Sequence, residues 1–144
     1  MEFLSKSLED TQKLASDFLS KIEKGDNATV VVLFGELGSG KTAFVKCVAS
    51  TLGIQEDITS PTFVIQKRFK IKDLRFKFKN LIHMDVYRLN NSSELGVLGF
   101  AELLKDSDNL IFVEWPEIVK ESIPNNAYKI NFEFIDETTR KLTF

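Results

Sequence analysis

Three observations predict an α/β fold, with helices around a central sheet and antiparallel hairpins added to it. The run "TVVVLF" (29–34) is apolar and mostly β-branched, the pattern of a strand buried on both faces. A glycine-rich loop and a helix-periodic stretch follow it directly. Two further apolar runs, "LIHMD" and "NLIFVEW", carry an acid at their ends, and the stretches from Thr62 to Met84 and from Tyr128 onward alternate in β fashion.

The elements follow in order. In "SLEDTQKLASDFLSKI", Leu8, Leu14, Ala15, Phe18, Leu19 and Ile22 fall at helical spacing. Ser7 and Asp10 form a capping-box pattern, with Asp in place of the usual Glu. Gly25, Asp26 and Asn27 break the chain before the buried strand. After the glycine loop, "TAFVKCVASTLG" reads as a helix closed by Gly53. "DITSPTF" is a loop, in which Pro61 forces Ser60 toward an extended backbone. The alternating stretch that follows reads as a hairpin turning near Lys72 and Asp73. "SSELGVLGFAELLKD" reads as one short helix with internal glycines, and "YKINFEFIDETTRKLTF" as a terminal hairpin around "DETT".

At 144 residues the chain is read as one domain, residues 1–144. Its net charge is −2, so the chain as a whole is not a polyanion binder. One cysteine, Cys47, and one histidine, His83, belong to no metal-spaced cluster, which excludes zinc sites and Cys–His nucleophile pairs. Cys47 is expected as a small core residue, and His83 as packed or hydrogen-bonded in preference to catalytic. No apolar run approaches the roughly 18 residues of a membrane span, and the acid-bearing N-terminus has no apolar signal region. A cytoplasmic protein without membrane contact is expected.

The loop "GELGSGKT" has the form G-x-x-x-x-G-K-[ST]. Between a strand and a helix, such a loop points backbone N–H groups inward and needs small residues, here Gly35, Gly38 and Gly40, for close approach to phosphate. Lys41 reaches the β and γ phosphates as a point charge, and Thr42 offers a hydroxyl to Mg²⁺. Mg²⁺ prefers one or two carboxylates with water filling its octahedron. Asp85 and Glu114 stand where open α/β sheets put their sites, at the C-terminal ends of strands. Either could hold the metal while the other orients the attacking water. Ser60 and Thr62 lie where nucleotide switches place a sensing hydroxyl, although a rigid turn is equally expected. The fold that fits is a three-layer P-loop NTPase domain with a central mixed sheet and added antiparallel hairpins.

Beyond that loop, "TSPTF", "HMDVYRL", "ELGVLGFAELL" and "VEWPE" occur in this order. Together they resemble the TsaE (YjeE) family, over about Ser7 to Arg140. The resemblance implies an ATPase of tRNA threonylcarbamoyladenosine synthesis, the modification beside the anticodon of tRNAs reading ANN codons. The implied partners are TsaB and TsaD, a pair that the ATPase loads or resets, and whether tRNA is met directly or indirectly stays open. It further implies that Gly38 to Thr42, together with Glu36 and Ser39 in the same loop, hold ATP. Thr42 with Glu114 would bind Mg²⁺, and Asp85 would act on the metal or the catalytic water. Thr11, in an S-x-x-x-T pattern, and Arg140 would lie near the nucleoside, and Trp115 would pack near the site or the partner surface. Tyr87 and Arg88 are open to a partner-interface role, and a plain salt bridge suits Arg88 as well.

Some residues depart from the family pattern. Glu36 replaces the more usual Asp, and Ser39 the more usual Ala. The stretch "KRFKIKDLRFKFK" (67–79) carries seven Lys or Arg and a single acid. Protection of an exposed edge strand is the favoured reading, and a patch for tRNA or an acidic partner is the alternative. The competing activity is a small-molecule P-loop kinase, which needs an acceptor pocket and usually an arginine-bearing lid. Only Arg68, Arg75, Arg88 and Arg140 are present, and no insert is long enough for such a lid. With no obvious cation over the γ-phosphate, low intrinsic hydrolysis that rises with partners is expected.

Overall fold

The computed structural model describes residues 1–56, 58 and 66–144, apart from the side chains of Ser92 and Val97. The expectations for Ser60, Pro61 and Thr62 lie outside the described residues, as does the start of the alternating stretch at Thr62.

The strands are β1 (Glu2–Ser5), β2 (Thr29–Phe34), β3 (Gln66–Lys70), β4 (Asn80–Asp85), β5 (Asn109–Glu114), β6 (Tyr128–Phe134) and β7 (Arg140–Thr143). The α-helices are α1 (Leu8–Lys21), α2 (Lys41–Thr51) and α3 (Phe100–Leu104). They build one seven-stranded sheet in the order β1-β7-β6-β2-β5-β4-β3. β6, β2, β5 and β4 run parallel, while β3 and the β7–β1 pair add antiparallel edges.

Apolar residues on alternate positions of β2 explain the layering. Val31 and Leu33 pack with Phe18, Phe44 and Val48 of α1 and α2 on one face. Val30 and Val32 pack on the other face with Leu95, Phe100, Leu103 and Val119. A strand covered on both sides can be apolar throughout. Phe44 is fully buried and meets Phe18 and Phe132 edge-on, with centroids 6.0 Å and 5.6 Å away. This contact fixes the helix that follows the phosphate loop against the sheet beneath it.

Ends are capped as local chemistry demands. The Ser7 hydroxyl accepts from the Asp10 N–H at 3.1 Å, while the Asp10 carboxylate accepts from the Lys6 N–H at 2.9 Å. α2 closes with the Gly53 N–H on the Ser50 carbonyl and the Ile54 N–H on the Ala49 carbonyl, the paired bonds of a Schellman motif.

Three details differ from the sequence reading. β1 is an added strand, short and partly polar, that pairs with β7. The expected single helix after Asn91 is two pieces, a 3₁₀ turn at Ser92–Leu98 and then α3. Gly99 lies between them at φ +70°, a left-handed value that no helix continues through and that glycine adopts most cheaply. The strands β3 and β4 do pair antiparallel, but residues 71–79 join them as a longer connection than a tight hairpin, with a turn at Asp73–Phe76.

Candidate functional site

β2 leads straight into the glycine loop. At Gly35 a Cβ would stand 2.5 Å from the Ser39 Oγ and 2.7 Å from the Phe132 carbonyl oxygen, so this close approach admits only glycine. α2 starts at Lys41 with no side-chain cap and no acid in its first turn. Its first N–H groups therefore face the loop without a competing anion, the electrostatics of a phosphate site.

Lys41 is buried, with its ammonium donating to the Gly35 carbonyl at 2.5 Å. Its Nζ also lies 3.5 Å from the centroid of the Trp115 ring. Trp115 has φ +62°, the one positive φ at a non-glycine among the described residues. That conformation costs a bulky residue about 1–3 kcal/mol and turns the chain sharply after β5, laying the indole on the lysine. Burial pulls the Lys41 pKa below its usual value, against the attraction of Glu114, Glu117, Asp85 and Glu36.

Thr42, the next residue, donates its hydroxyl to both Glu114 carboxylate oxygens, at 3.0 Å and 3.2 Å. Glu114 is 3% exposed and sits beside Asp85 in the parallel pairing of β5 with β4. The Asp85 carboxylate accepts from the Tyr87 N–H at 3.0 Å. Among the described residues, no three His, Cys, Asp or Glu side chains gather closely enough to hold a metal alone. A hydroxyl touching one carboxylate, with a second carboxylate alongside, is instead the hard-oxygen donor set that suits Mg²⁺.

These groups open onto a cleft of about 750 Å³ lined by Glu36, Leu37, Gly38, Ser39, Gly40, Lys41, Thr42, Ala43, Asp85, Tyr87, Glu114, Trp115 and Arg140. A second groove of about 360 Å³ shares Gly40, Ala43 and Arg140 with it and adds Thr11, Ser7 and Phe132. The sequence-predicted residues therefore gather at one end of the sheet, with Thr11 one groove away from the rest. Thr11 Oγ1 contacts Ser5 Oγ at 2.5 Å. Arg140 is also at the cleft wall, a second cation, with its side chain beside Gly40 of the glycine loop. Its guanidinium is held back by the Asp136 and Thr139 carbonyls, at 2.5 Å and 3.1 Å, and lies over the Phe134 ring.

His83 is buried and hydrogen-bonded, and the partner is Glu114 itself, with Nε2 2.5 Å from Oε2. The signal for this contact was its spacing: His83 stands two residues before Asp85 on one strand, hence on the same face. Leu37, 88% exposed at the loop tip, and Tyr87, whose ring meets Trp115 at 5.1 Å, form an apolar rim. Cys47 is core. The basic stretch belongs to β3, the outermost strand, and to the connection after it. Arg75 is paired with Asp73 and Lys79 with Asp108. Among the described residues no helix is long and apolar enough to cross a membrane.

Known proteins resemble this chain in sequence and in fold. A crystal structure of Bacillus subtilis YdiB superposes with a TM-score of 0.75 at 25% identity, covering 99% of this chain and 82% of that one. A "tRNA threonylcarbamoyladenosine biosynthesis protein TsaE" from Treponema pallidum is 34% identical over 99% of this chain and 98% of its own length. Proteins of the same name from Rickettsia felis and Bacillus subtilis are each 35% identical, covering 92% and 94% of this chain and 72% and 79% of their own. The family description "Threonylcarbamoyl adenosine biosynthesis protein TsaE" matches residues 5–142. With the phosphate loop, its strand-end acids and nearly the whole chain matched together, this P-loop protein belongs to the TsaE family.

Proposed function

We propose that the chain is a Mg²⁺-dependent ATPase that works by nucleotide-controlled association with the TsaB–TsaD pair in the cytoplasm. The cycle serves threonylcarbamoyladenosine modification of tRNAs reading ANN codons, and tRNA is met through the partners. The observation that carries this reading is the Thr42 hydroxyl on the Glu114 carboxylate, next to Lys41 in the cleft. Family membership supports the pathway.

The residues divide the work. The backbone N–H groups of Gly38 to Thr42 receive the phosphates at the start of α2, with Glu36 and Ser39 shaping the loop around them. Lys41 leaves the Gly35 carbonyl and the Trp115 ring to reach the β and γ oxygens. Thr42 and Glu114 hold Mg²⁺, which offsets the negative charge on those oxygens. Asp85 orients the attacking water, and Thr11 and Arg140 flank the nucleoside. Because Arg140 is tied to the terminal turn, Lys41 is the one side-chain cation among the described residues lining the cleft that is left to meet the γ-phosphate charge in the free protein. Hydrolysis by the free protein is therefore slow, and a docked partner completes the site.

The test is ATP hydrolysis by the purified chain, alone and with purified TsaB–TsaD. Slow turnover alone and a large rise with the pair are expected. Asp85→Ala and Glu114→Ala should retain some ATP binding yet show no stimulated turnover. Full partner-stimulated hydrolysis in both variants would remove the site assignment. Phosphoryl transfer to a small acceptor, without a partner effect, would instead establish a kinase.

A further inference from the structure

We propose that His83 is a positioning residue that locks the Glu114 carboxylate in the orientation facing Thr42. The inference rests on the metal role given above to Thr42 and Glu114. Along β4, Leu81 packs in the α2-side core, while Ile82 and Met84 pack in the opposite one. Alternation therefore puts His83 and Asp85 on the α2 side. In the parallel register His83 stands opposite Phe112 and Asp85 opposite Glu114. His83 lies one step deeper than the acids, with a side chain 0% exposed to solvent.

Its Nε2 meets Glu114 Oε2 at 2.5 Å, and that oxygen also accepts from the Thr42 hydroxyl at 3.0 Å. A carboxylate has only acceptors, so Nε2 carries the hydrogen. Nδ1 has no hydrogen-bond partner among the described residues, so Glu114 is the ring's one hydrogen-bond partner there. The Thr42 hydroxyl alone leaves the carboxylate free to rotate. A second donor from a fully buried ring on a neighbouring strand removes that freedom, as outer-shell donors do for metal-ligating groups. It also partners an acid that would otherwise be buried at considerable cost. A purely structural histidine would do the second task without the first, and the two separate in the metal dependence of nucleotide binding.

Trp115 is the only tryptophan and touches Lys41, so its fluorescence reports the site. The full chain is titrated with ADP in EDTA, and then with Mg²⁺ at fixed ADP. For His83→Phe, metal-free ADP affinity should stay within about twofold of wild type, while the Mg²⁺ half-saturation rises about tenfold or more. His83→Gln, whose amide can still donate toward Glu114, should recover most of that loss. His83→Leu replaces the Phe variant if the latter does not fold. Equal Mg²⁺ half-saturation in wild type and the donor-free variant overturns the inference. Loss of metal-free binding together with a lower melting temperature also overturns it, because His83 then serves the fold alone. A wild-type protein that binds ADP without any Mg²⁺ dependence removes the metal reading first, and this inference with it.

Discussion

Ser39 shows how a single atom in the phosphate loop can be separated from the chemistry around it. Its hydroxyl is buried without a hydrogen-bond partner among the described residues, wedged against the position a Gly35 Cβ would take. A buried polar group without a partner costs about 1–3 kcal/mol. Ser39→Ala should therefore raise stability by about 1 kcal/mol in urea unfolding, with nucleotide affinity little changed, since the phosphate contacts proposed there are backbone N–H groups. A less stable Ala variant would show that the hydroxyl has a partner after all. At this scale the sequence was informative wherever chemistry dictates spacing: Lys41, Thr42, Asp85 and Glu114 were named from a loop motif and two strand ends. The contact of His83 with Glu114 was not named, because a histidine within an apolar run reads first as core. The parking of Lys41 on Trp115 depends on a left-handed φ at a bulky residue, for which side-chain type gives no warning.

Elements followed from the sequence when one period ran uninterrupted. α1, α2, β2 and β5 are such cases, each with a full apolar face and, for the helices, a cap or stop residue at the end. The stretch after Asn91 departs from a single helix because Gly99, not the leucines and phenylalanine at helical spacing, sets the backbone between the two pieces. Gly96 and Gly99 separate the two readings. In one continuous helix both would gain from alanine, by the ordinary propensity difference. In the observed structure Gly99 is left-handed with open space around its Cβ position, so Gly99→Ala should lose about 1–2 kcal/mol from backbone strain alone. Gly96 has equally open space without a positive φ, so Gly96→Ala should be neutral or gain a few tenths of a kcal/mol. Chemical denaturation of the two variants decides the matter by sign, and two gains would restore the single helix.

At the scale of the whole molecule, strand order could not be read in advance, because it depends on which distant edges meet. β1 is a case in point: a strand of four residues has too short a pattern to be recognised until β7 offers it an edge. That order nevertheless explains why the site costs stability. The parallel centre brings β2, β5 and β4 to end together, so Lys41 is enclosed by the chain turning off each of them. Burial holds its pKa below 10.5 in the folded protein. A lysine whose folded pKa is depressed weakens the fold most fully below that folded value. The penalty fades as pH rises from there toward the unfolded pKa. Lys41→Met keeps an apolar side chain against the Trp115 ring and removes the buried charge, so the free protein should melt higher at pH 7. The wild type should gain about 2.7 kcal/mol from Mg²⁺ and ATP at 100 times Kd, a melting shift of roughly 10 °C for a chain of this size. The variant should show almost none of that shift. Thermal melts of both proteins, with and without Mg²⁺ and ATP, test the two signs together. A variant that melts lower than wild type when free would mean that the Gly35 carbonyl and the Trp115 ring already offset the buried charge, whereas an unchanged shift with nucleotide would take Lys41 out of the phosphate site.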